Sequence, residues 1–241
     1  MAAEKSDCSG NILTHIAALR RCLLHMAAGY LLCCILSWIA SPWLLKHLLR
    51  YAAPPGFTLH YFGLMEPFFV RLELTMVTAL LLSLPFLIAK VWQFISPALR
   101  EKERHVLLPT VLISTLLGYG GAAVAIFFMI PAVVNFSLSF TTSELMPMIG
   151  VSQFVSLLLA MVTGGVIVFQ FPLVTYALLA SGVITPQSLS KKRPYVVIFI
   201  LIVAAILTPP DVASQLLMAT PAWLLFEASL LIYRLRNREK E

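Results

Sequence analysis

Six stretches of the chain are apolar over most of their length, and nearly all charged residues lie between them. The stretches cover residues 22–44, 67–97, 107–133, 152–182, 195–208 and 212–233. A helix needs about 20 apolar residues to cross about 30 Å of hydrocarbon, and every stretch except the fifth has that length. The pattern predicts an all-α polytopic membrane protein with six transmembrane helices, rather than a barrel of short alternating strands.

The fifth stretch is short because only 14 residues separate Pro194 from Pro209. At about 1.5 Å per residue they span roughly 21 Å, which is less than the hydrocarbon thickness. We expect the bilayer to be thinned at this helix, or its neighbours to shield it.

Proline and small residues predict the shape of the other spans. Each proline removes an amide donor and clashes with the preceding turn, so four spans are expected to break or kink. Small residues allow helices to approach closely, and we expect this of Gly118, Gly121 and Ala122. The four prolines are Pro85, Pro131, Pro172 and Pro221.

The composition supports a membrane protein, since 60% of residues are hydrophobic, 12% are charged and the mean hydropathy is +0.91. With 241 residues we expect a single transmembrane domain, 1–241, with an N-terminal cytoplasmic segment 1–21 and a cytoplasmic tail 234–241. Tryptophans 38, 43, 92 and 223 lie near predicted span ends, where interfacial belts form.

The distribution of Lys and Arg predicts the orientation. Of 17 such residues, 13 fall on one side of the predicted bundle, which the positive-inside bias assigns to the cytoplasm together with both termini. The net charge of +6 is thereby explained by topology, and no nucleic-acid partner is expected. The 13 are Lys5, Arg20, Arg21, Arg100, Lys102, Arg104, Lys191, Lys192, Arg193, Arg234, Arg236, Arg238 and Lys240; the opposite side carries Lys46, Arg50 and Arg71.

The sequence offers little for catalysis. It contains no nucleophile paired with a base, no zinc-protease helix motif and no phosphate-binding loop. The cysteines have no metal-ligand spacing. We therefore expect no catalytic residue, no metal and no cofactor.

Gln170 is polar in the middle of the fourth span, where an unpaired polar group is costly. It either faces a cavity or partner, or donates to a carbonyl that Pro172 leaves free. The residues alone leave both interpretations open.

Two acidic residues in predicted loops have structural explanations. Asp211 precedes the last helix and is interpreted as its N-terminal cap. Glu103 lies among cations on the basic side and could be an ordinary solvated charge.

Other carboxylates are expected to be neutralised by nearby arginines. Glu227 lies late in span 6 and is expected to pair with an arginine such as Arg234. Glu66 and Glu73 lie near the start of span 2, where Arg71 could neutralise either.

Several motifs in matching order resemble TatC, the multispanning receptor component of the twin-arginine protein translocase, over nearly the whole chain. They are Leu13-Thr14-His15, Leu19-Arg20, Glu66-Pro67-Phe68-Phe69, Phe94-Ile95-Ser96-Pro97-Ala98-Leu99, Glu103-Arg104, Phe169-Gln170-Phe171-Pro172, Ser190-Lys191-Lys192-Arg193-Pro194-Tyr195, Leu207-Thr208-Pro209-Pro210-Asp211-Val212 and Ser214-Gln215.

The resemblance implies a concave, cup-shaped bundle with spans 5 and 6 short. It also implies a receptor in the bacterial cytoplasmic (inner) membrane that binds twin-arginine signal peptides of folded precursors. Such a receptor exports its cargo in an oligomeric complex with single-span TatB-like and TatA-like proteins, driven by the proton gradient and not by nucleotide.

The resemblance also implies the site. The first cytoplasmic loop would recognise paired arginines through Glu103, with Arg104, Phe94 and Arg20 as further signal-peptide-binding residues. A carboxylate and a guanidinium form a charge-assisted bidentate pair. The residues expected to contact the groove or a partner are Gln170, Phe68 and Phe69. The two phenylalanines would help to seal the groove.

One position departs from the family pattern His-Leu-x-Glu-Leu-Arg before span 1. This chain has Ala18 where the acidic residue stands in the family. We expect weaker or less selective recognition of paired arginines, unless Glu101 compensates.

Two other function classes fit the sequence less well. A small-molecule or ion transporter could use six kinked spans, but such proteins usually show internal repeats and several buried ionisable groups, and this chain shows neither. An intramembrane hydrolase would need a nucleophile and base within reach of each other, and no such pair is present.

Overall fold

Two long antiparallel helices begin the chain. The structure is a computed structural model and describes residues 3–53, 59–95, 107–139, 148–180, 184, 186–207 and 212–238. Helix α1 covers Ala3–Ala52 and α2 covers Glu66–Ile95. Tyr30 of α1 bonds to Met76 of α2, and Arg71 of α2 bonds to Ser41 of α1. The contacting residue of α1 moves from 30 to 41 while that of α2 moves from 76 to 71, so the two helices are antiparallel.

A second antiparallel pair packs against the first. Helix α3, Leu107–Val124, continues through a five-residue π-helical segment, Ala125–Met129, into α4, Ile130–Leu138. Helix α5, Val151–Val168, returns beside α3. The connections at one end pair in parallel as two short strands, β1 (Leu59–His60) and β2 (Ile149–Gly150). We call this the distal end, and the opposite end, which holds Arg20 and Phe94, the basic end.

Four helices complete the bundle. They are α6 (Phe171–Ala180), α7 (Pro186–Lys191), α8 (Arg193–Leu207) and α9 (Val212–Arg238). Helix α9 packs against α6 and α8, and α8 also reaches α5. Helix α5 lies at the centre, where Val155, Leu158 and Met161 are fully buried.

The helices carry most of the predicted spans. Within the described ranges, four helical stretches are long and apolar enough to cross a membrane: Ala17–Ala52, Glu66–Phe94, Leu108–Leu138 and Val151–Thr175. Their surface is rich in exposed Leu, Ile and Phe, as lipid contact requires. The protein is a multi-pass membrane protein.

The last two helices differ in length. The predicted short fifth span corresponds to α8, which has 15 residues. The helix that carries the sixth span, α9, has 27 residues, which include more than its apolar run. It does not stop with the apolar run but continues into the polar sequence that ends at Arg238.

Two of the four predicted prolines lie next to an irregular stretch of helix, and the other two lie in helices that continue without a break. Five π-helical residues immediately precede the segment that contains Pro131, and a two-residue break at Phe169-Gln170 separates α5 from α6 just before Pro172. At Pro85 and Pro221 the helices continue without a break.

Neighbouring hydroxyl groups satisfy carbonyls that proline leaves free. Pro85 cannot donate to Leu81, and the Tyr119 hydroxyl on α3 donates to the Leu81 carbonyl oxygen instead (3.0 Å). Within α1, Pro42 likewise frees the carbonyl of Trp38, to which the Ser41 hydroxyl donates (2.8 Å). This bond holds the Ser41 hydroxyl in place, and the same hydroxyl oxygen accepts a hydrogen bond from Arg71.

Candidate functional site

The structure describes only part of the predicted recognition site. Glu103, Arg104 and Asp211 lie outside the described residues. Arg20 is exposed on α1, and Phe94 is half-buried near the end of α2. Both residues lie at the basic end. Cys22, two residues after Arg20, donates its thiol to the carbonyl oxygen of Lys90, four residues before Phe94 (3.5 Å).

Gln170 lies in the break between α5 and α6. Its side-chain amide nitrogen donates to the Ser114 carbonyl oxygen of α3 (3.2 Å). This bond replaces the expected one to a carbonyl freed by Pro172, because the break turns the Gln170 side chain towards α3. Within the described residues, the Gln170 side-chain oxygen accepts no hydrogen bond from the protein, which leaves it as a candidate acceptor in the apolar part of the bundle.

Ser114 connects three parts of the bundle, which the sequence did not indicate. Its backbone oxygen accepts from Gln170, and its hydroxyl oxygen accepts from the Trp92 indole N–H of α2 (3.1 Å). Trp92 is 6% exposed and Ser114 fully buried. The expectation that Trp92 belongs to an interfacial belt is therefore wrong, since its indole N–H bonds to protein inside the bundle.

The glycines of α3 hold Gln170 close. A Cβ atom on Gly118 would lie 2.8 Å from the Gln170 amide nitrogen, and one on Gly121 would meet the Gly165 carbonyl group of α5. The expected close approach at Gly118 and Gly121 is confirmed. It lets the turn after α5 reach the backbone of α3.

Phe68 and Phe69 lie near the distal end and are not brought together with Gln170. Their rings stack edge-on with a centroid separation of 5.7 Å, and Phe68 contacts Trp38 in the same way at 6.0 Å. Leu84, which packs beside Gly118 near Gln170, follows Phe69 by 15 residues, or about 22 Å along a helix. A groove lined by both phenylalanines and by Gln170 must therefore extend along most of α2.

The expected arginine–carboxylate pairs near the start of α2 are absent from the described residues. Glu66 accepts the backbone N–H of Phe62 (2.9 Å), and Glu73 accepts the Ser156 hydroxyl (2.5 Å). Arg71 donates instead to Ser41 (3.1 Å). The described contacts of both carboxylates are with uncharged donors, and neither carboxylate forms an ion pair with Arg71.

Glu227 pairs with Arg193 of α8 (2.7 Å), which confirms the expected arginine partner, while the side chain of Arg234, the arginine named as an example, is outside the described set. The turn at Lys192 places the start of α8 beside the late part of α9. Both side chains are partly exposed, 46% and 27%, so the pair contributes typically below about 1 kcal/mol. Together with the bond from Gln215 to the Leu201 carbonyl oxygen (3.0 Å), it fixes α8 against α9.

In the described part of the chain, no group of three or more His, Cys, Asp or Glu side chains is placed to bind a metal ion. The described polar contacts of Trp92, Gln170 and Gln215 join helices of the bundle to one another.

Comparison with known proteins extends over most of the chain. The family model for the Sec-independent protein translocase protein (TatC) matches residues 14–221. A TatC protein of Azotobacter chroococcum is 34% identical over 243 residues, which cover 99% of this chain and 95% of the relative. TatC of Escherichia coli K12 is 32% identical, covering 95% and 92%.

The fold agrees as well. The crystal structure of the twin arginine translocase receptor TatC in DDM superposes with a TM-score of 0.84 at 29% identity, covering 90% of this chain and 98% of that one. The chain therefore belongs to the TatC family, whose members are membrane components of the Tat protein translocase and not enzymes.

Proposed function

We propose that this chain is the receptor that binds twin-arginine signal peptides of folded precursors. It would export them with single-span TatB-like and TatA-like partners, in an oligomeric complex driven by the proton gradient. The observation that carries this proposal is the combined match of family and fold, which includes a solved structure named as the twin arginine translocase receptor. The described structure supports it with a bundle whose polar contacts are structural rather than catalytic.

The signal peptide would dock at the basic end. Arg20 and Phe94 already lie there, on the two helices that border this end. Residues 96–106 connect α2 to α3, so Glu103 and Arg104 are within a few residues of the same surface in sequence. Glu103 would pair with the signal arginines, Phe94 would contact the apolar residues of the peptide, and Arg20 would bind a backbone carbonyl or an acidic residue.

The distribution of charge supports the orientation. The excess of Lys and Arg at the basic end would place it, with both termini, in the cytoplasm. The distal end with β1 and β2 would then face outward from the bacterial inner membrane, and Asp211 would cap the last helix at that end. A precursor arriving from the cytoplasm would meet the docking surface first.

A photo-crosslinking side chain at Lys102 tests the receptor function. Membranes carrying this variant are exposed to a precursor with paired arginines and to the same precursor with paired lysines. We expect strong crosslinks to the first and at least about tenfold fewer to the second, because lysine cannot form the bidentate pair.

The matched control is the same side chain at Lys46, which is exposed on α1 towards the distal end. It should capture neither precursor before export begins. Equal crosslinking of both precursors at Lys102 would show that selectivity has been lost, and no crosslinking to either would contradict the receptor proposal.

Gln170 would provide an acceptor for a partner helix or for the inserted signal peptide. Gln170→Glu keeps an acceptor oxygen, whereas Gln170→Leu removes the acceptor and the donor. We expect Gln170→Leu to reduce recovery of the partner complex about two- to tenfold, as the loss of one hydrogen bond implies, and Gln170→Glu to reduce it less. The measurement is co-purification of the single-span subunits, with the melting temperature of each variant recorded. Equal losses in both variants would assign Gln170 a structural role through Ser114 alone.

A further inference from the structure

Arg71 is a positive charge without a carboxylate partner in the described part of the protein. It is half-buried, five residues after the start of α2. The two nearest carboxylates in sequence point elsewhere, since Glu66 accepts the Phe62 N–H and Glu73 accepts the Ser156 hydroxyl, and neither forms an ion pair with Arg71 among the described residues. Because Arg71 is half-buried, part of its solvation by water is lost, and an anion within hydrogen-bonding distance would compensate for that loss.

The Arg71 side chain is held in a defined orientation. Its Nε donates to the Ser41 hydroxyl oxygen (3.1 Å), while the Ser41 hydroxyl proton is donated to the Trp38 carbonyl oxygen. The guanidinium carbon lies 4.8 Å from the centroid of the Trp38 ring, a cation–π distance. Ser41 is fully buried, and Pro42 leaves the Trp38 carbonyl free to accept, so the support is part of the fold.

The terminal nitrogens of Arg71 remain available. Neither has a hydrogen-bond partner among the described residues, although together they can donate to two oxygens of one anion. The planar guanidinium matches phosphate and carboxylate oxygens, which a lysine ammonium would contact only as a point charge.

The surroundings indicate which anion reaches this site. Arg71 lies about 8 Å along α2 from its distal end, a depth that suits the headgroup region of a bilayer. The neighbouring surface is aromatic and open: Trp38, beneath the guanidinium, and Phe68, which contacts Trp38, are 37% and 49% exposed. Tryptophan at this depth is typical of the boundary between lipid tails and headgroups.

We propose that Arg71 binds the phosphate of a phospholipid in the leaflet at the distal end. The two terminal nitrogens would donate to phosphate oxygens, with the Trp38 ring beneath the guanidinium and an acyl chain along Phe68. Lys46 is also exposed on α1 towards the same end, so the positive charge of this end favours an anionic headgroup. Lipid surrounds every transmembrane bundle, so this ligand is present before any protein partner assembles.

Native mass spectrometry of the purified full-length protein tests the proposal. The protein is titrated with phosphatidylglycerol, and separately with a glucosyl diacylglycerol that has the same chains but no phosphate. Arg71→Gln should weaken binding of the tightest phosphatidylglycerol about tenfold or more, which corresponds to one lost charge-assisted interaction. Arg71→Lys should give a smaller loss, because it keeps the charge without the planar fork.

The matched control is Arg50→Gln. Arg50 is exposed in the last turn of α1 at the same end, but it has neither the serine nor the tryptophan support. This variant should change phosphatidylglycerol binding by less than about twofold, as expected of an exposed charge. The glucosyl lipid should bind all variants equally, and melting temperatures identify any variant that fails to fold.

Two outcomes would overturn the proposal. One is equal phosphatidylglycerol binding by the native protein, Arg71→Gln and Arg71→Lys. The other is unchanged lipid binding together with loss of a co-purifying single-span subunit in Arg71→Gln, which would assign Arg71 to a carboxylate of that subunit. The lipid titration uses no precursor and no export, so its result is independent of the receptor function.

Discussion

Replacing Glu103 by Gln is expected to reduce binding of a twin-arginine signal peptide by at least about tenfold. An amide is close to the same size but cannot form a charge-assisted pair with a guanidinium. Such an interaction typically contributes about 1.5–3 kcal/mol, and about 1.4 kcal/mol corresponds to a tenfold change in affinity. The affinity for the signal peptide should fall by the full amount in this chain, because Ala18 provides no second carboxylate at the family's acidic position. The measurement is peptide binding to the purified protein in lipid nanodiscs.

The chain provides a matched control for this prediction. Glu101 lies two residues before Glu103, and Glu101→Gln changes the net charge of the loop by the same amount. It should change affinity by less than about twofold if its role is only that of a surface charge. A larger effect for Glu101→Gln than for Glu103→Gln would show that Glu101 is the recognition carboxylate and that Glu103 is not.

Ala18→Glu tests the same surface by adding a charge. Ala18 is exposed on α1, so a longer side chain can be accommodated without repacking. The variant should increase the preference for paired arginines over paired lysines, and it should partly restore binding in Glu103→Gln. An unchanged preference would mean that the acidic position of the family has no recognition role in this chain.

The sequence predicted the helices well, because apolar length alone determines whether a segment can cross a membrane. It also predicted the short α8, which two prolines delimit, and the close approach at Gly121, which needs only the absence of a side chain. It did not predict that α9 continues beyond its apolar run, because helical hydrogen bonds can continue where hydrophobicity ends.

The pairing of polar groups was harder to predict. Gln170 was recognised from its position in an apolar run, but its partner is a backbone oxygen of Ser114, and no sequence pattern marks which carbonyl a neighbouring helix offers. Glu227 was expected to pair with an arginine such as Arg234, seven residues away, but the sequence did not single out Arg193, 34 residues away, which the turn into α8 brings beside it. Such pairs depend on helix packing, which a single sequence does not specify.

Replacing Gly121 by Ala is expected to cause the largest loss of stability among single-methyl additions in α3. The new Cβ atom would overlap the Gly165 carbonyl group of α5 and lie 2.9 Å from the Cβ atom of Phe169. Both obstacles belong to backbone or to an atom fixed to it, so a side-chain rotation cannot relieve them. Overpacking of this kind typically costs about 1–3 kcal/mol. For a chain of this size the melting temperature in detergent should fall by about 2–12 °C.

Gly120→Ala is the control for the change of residue type. A Cβ atom there would meet no atom of a neighbouring helix within 4 Å, and alanine is the better helix former by up to about 1 kcal/mol. This variant should melt at the native temperature or above it. Similar destabilisation of both variants would show that α3 tolerates no added methyl group, and that contact with Gly165 is not the cause.

The Gly121 contact should also affect the candidate site. The Gly165 carbonyl oxygen accepts the N–H of Phe169, the residue immediately before Gln170. If Gly121→Ala pushes α5 away from α3, the Gln170 amide nitrogen must lose its bond to Ser114, which is 3.2 Å in the native protein. Recovery of the partner complex should then fall in Gly121→Ala even at temperatures where the variant is folded, and it should be unchanged in Gly120→Ala. A variant that melts earlier but assembles normally would instead show that the α3–α5 contact serves stability without positioning Gln170.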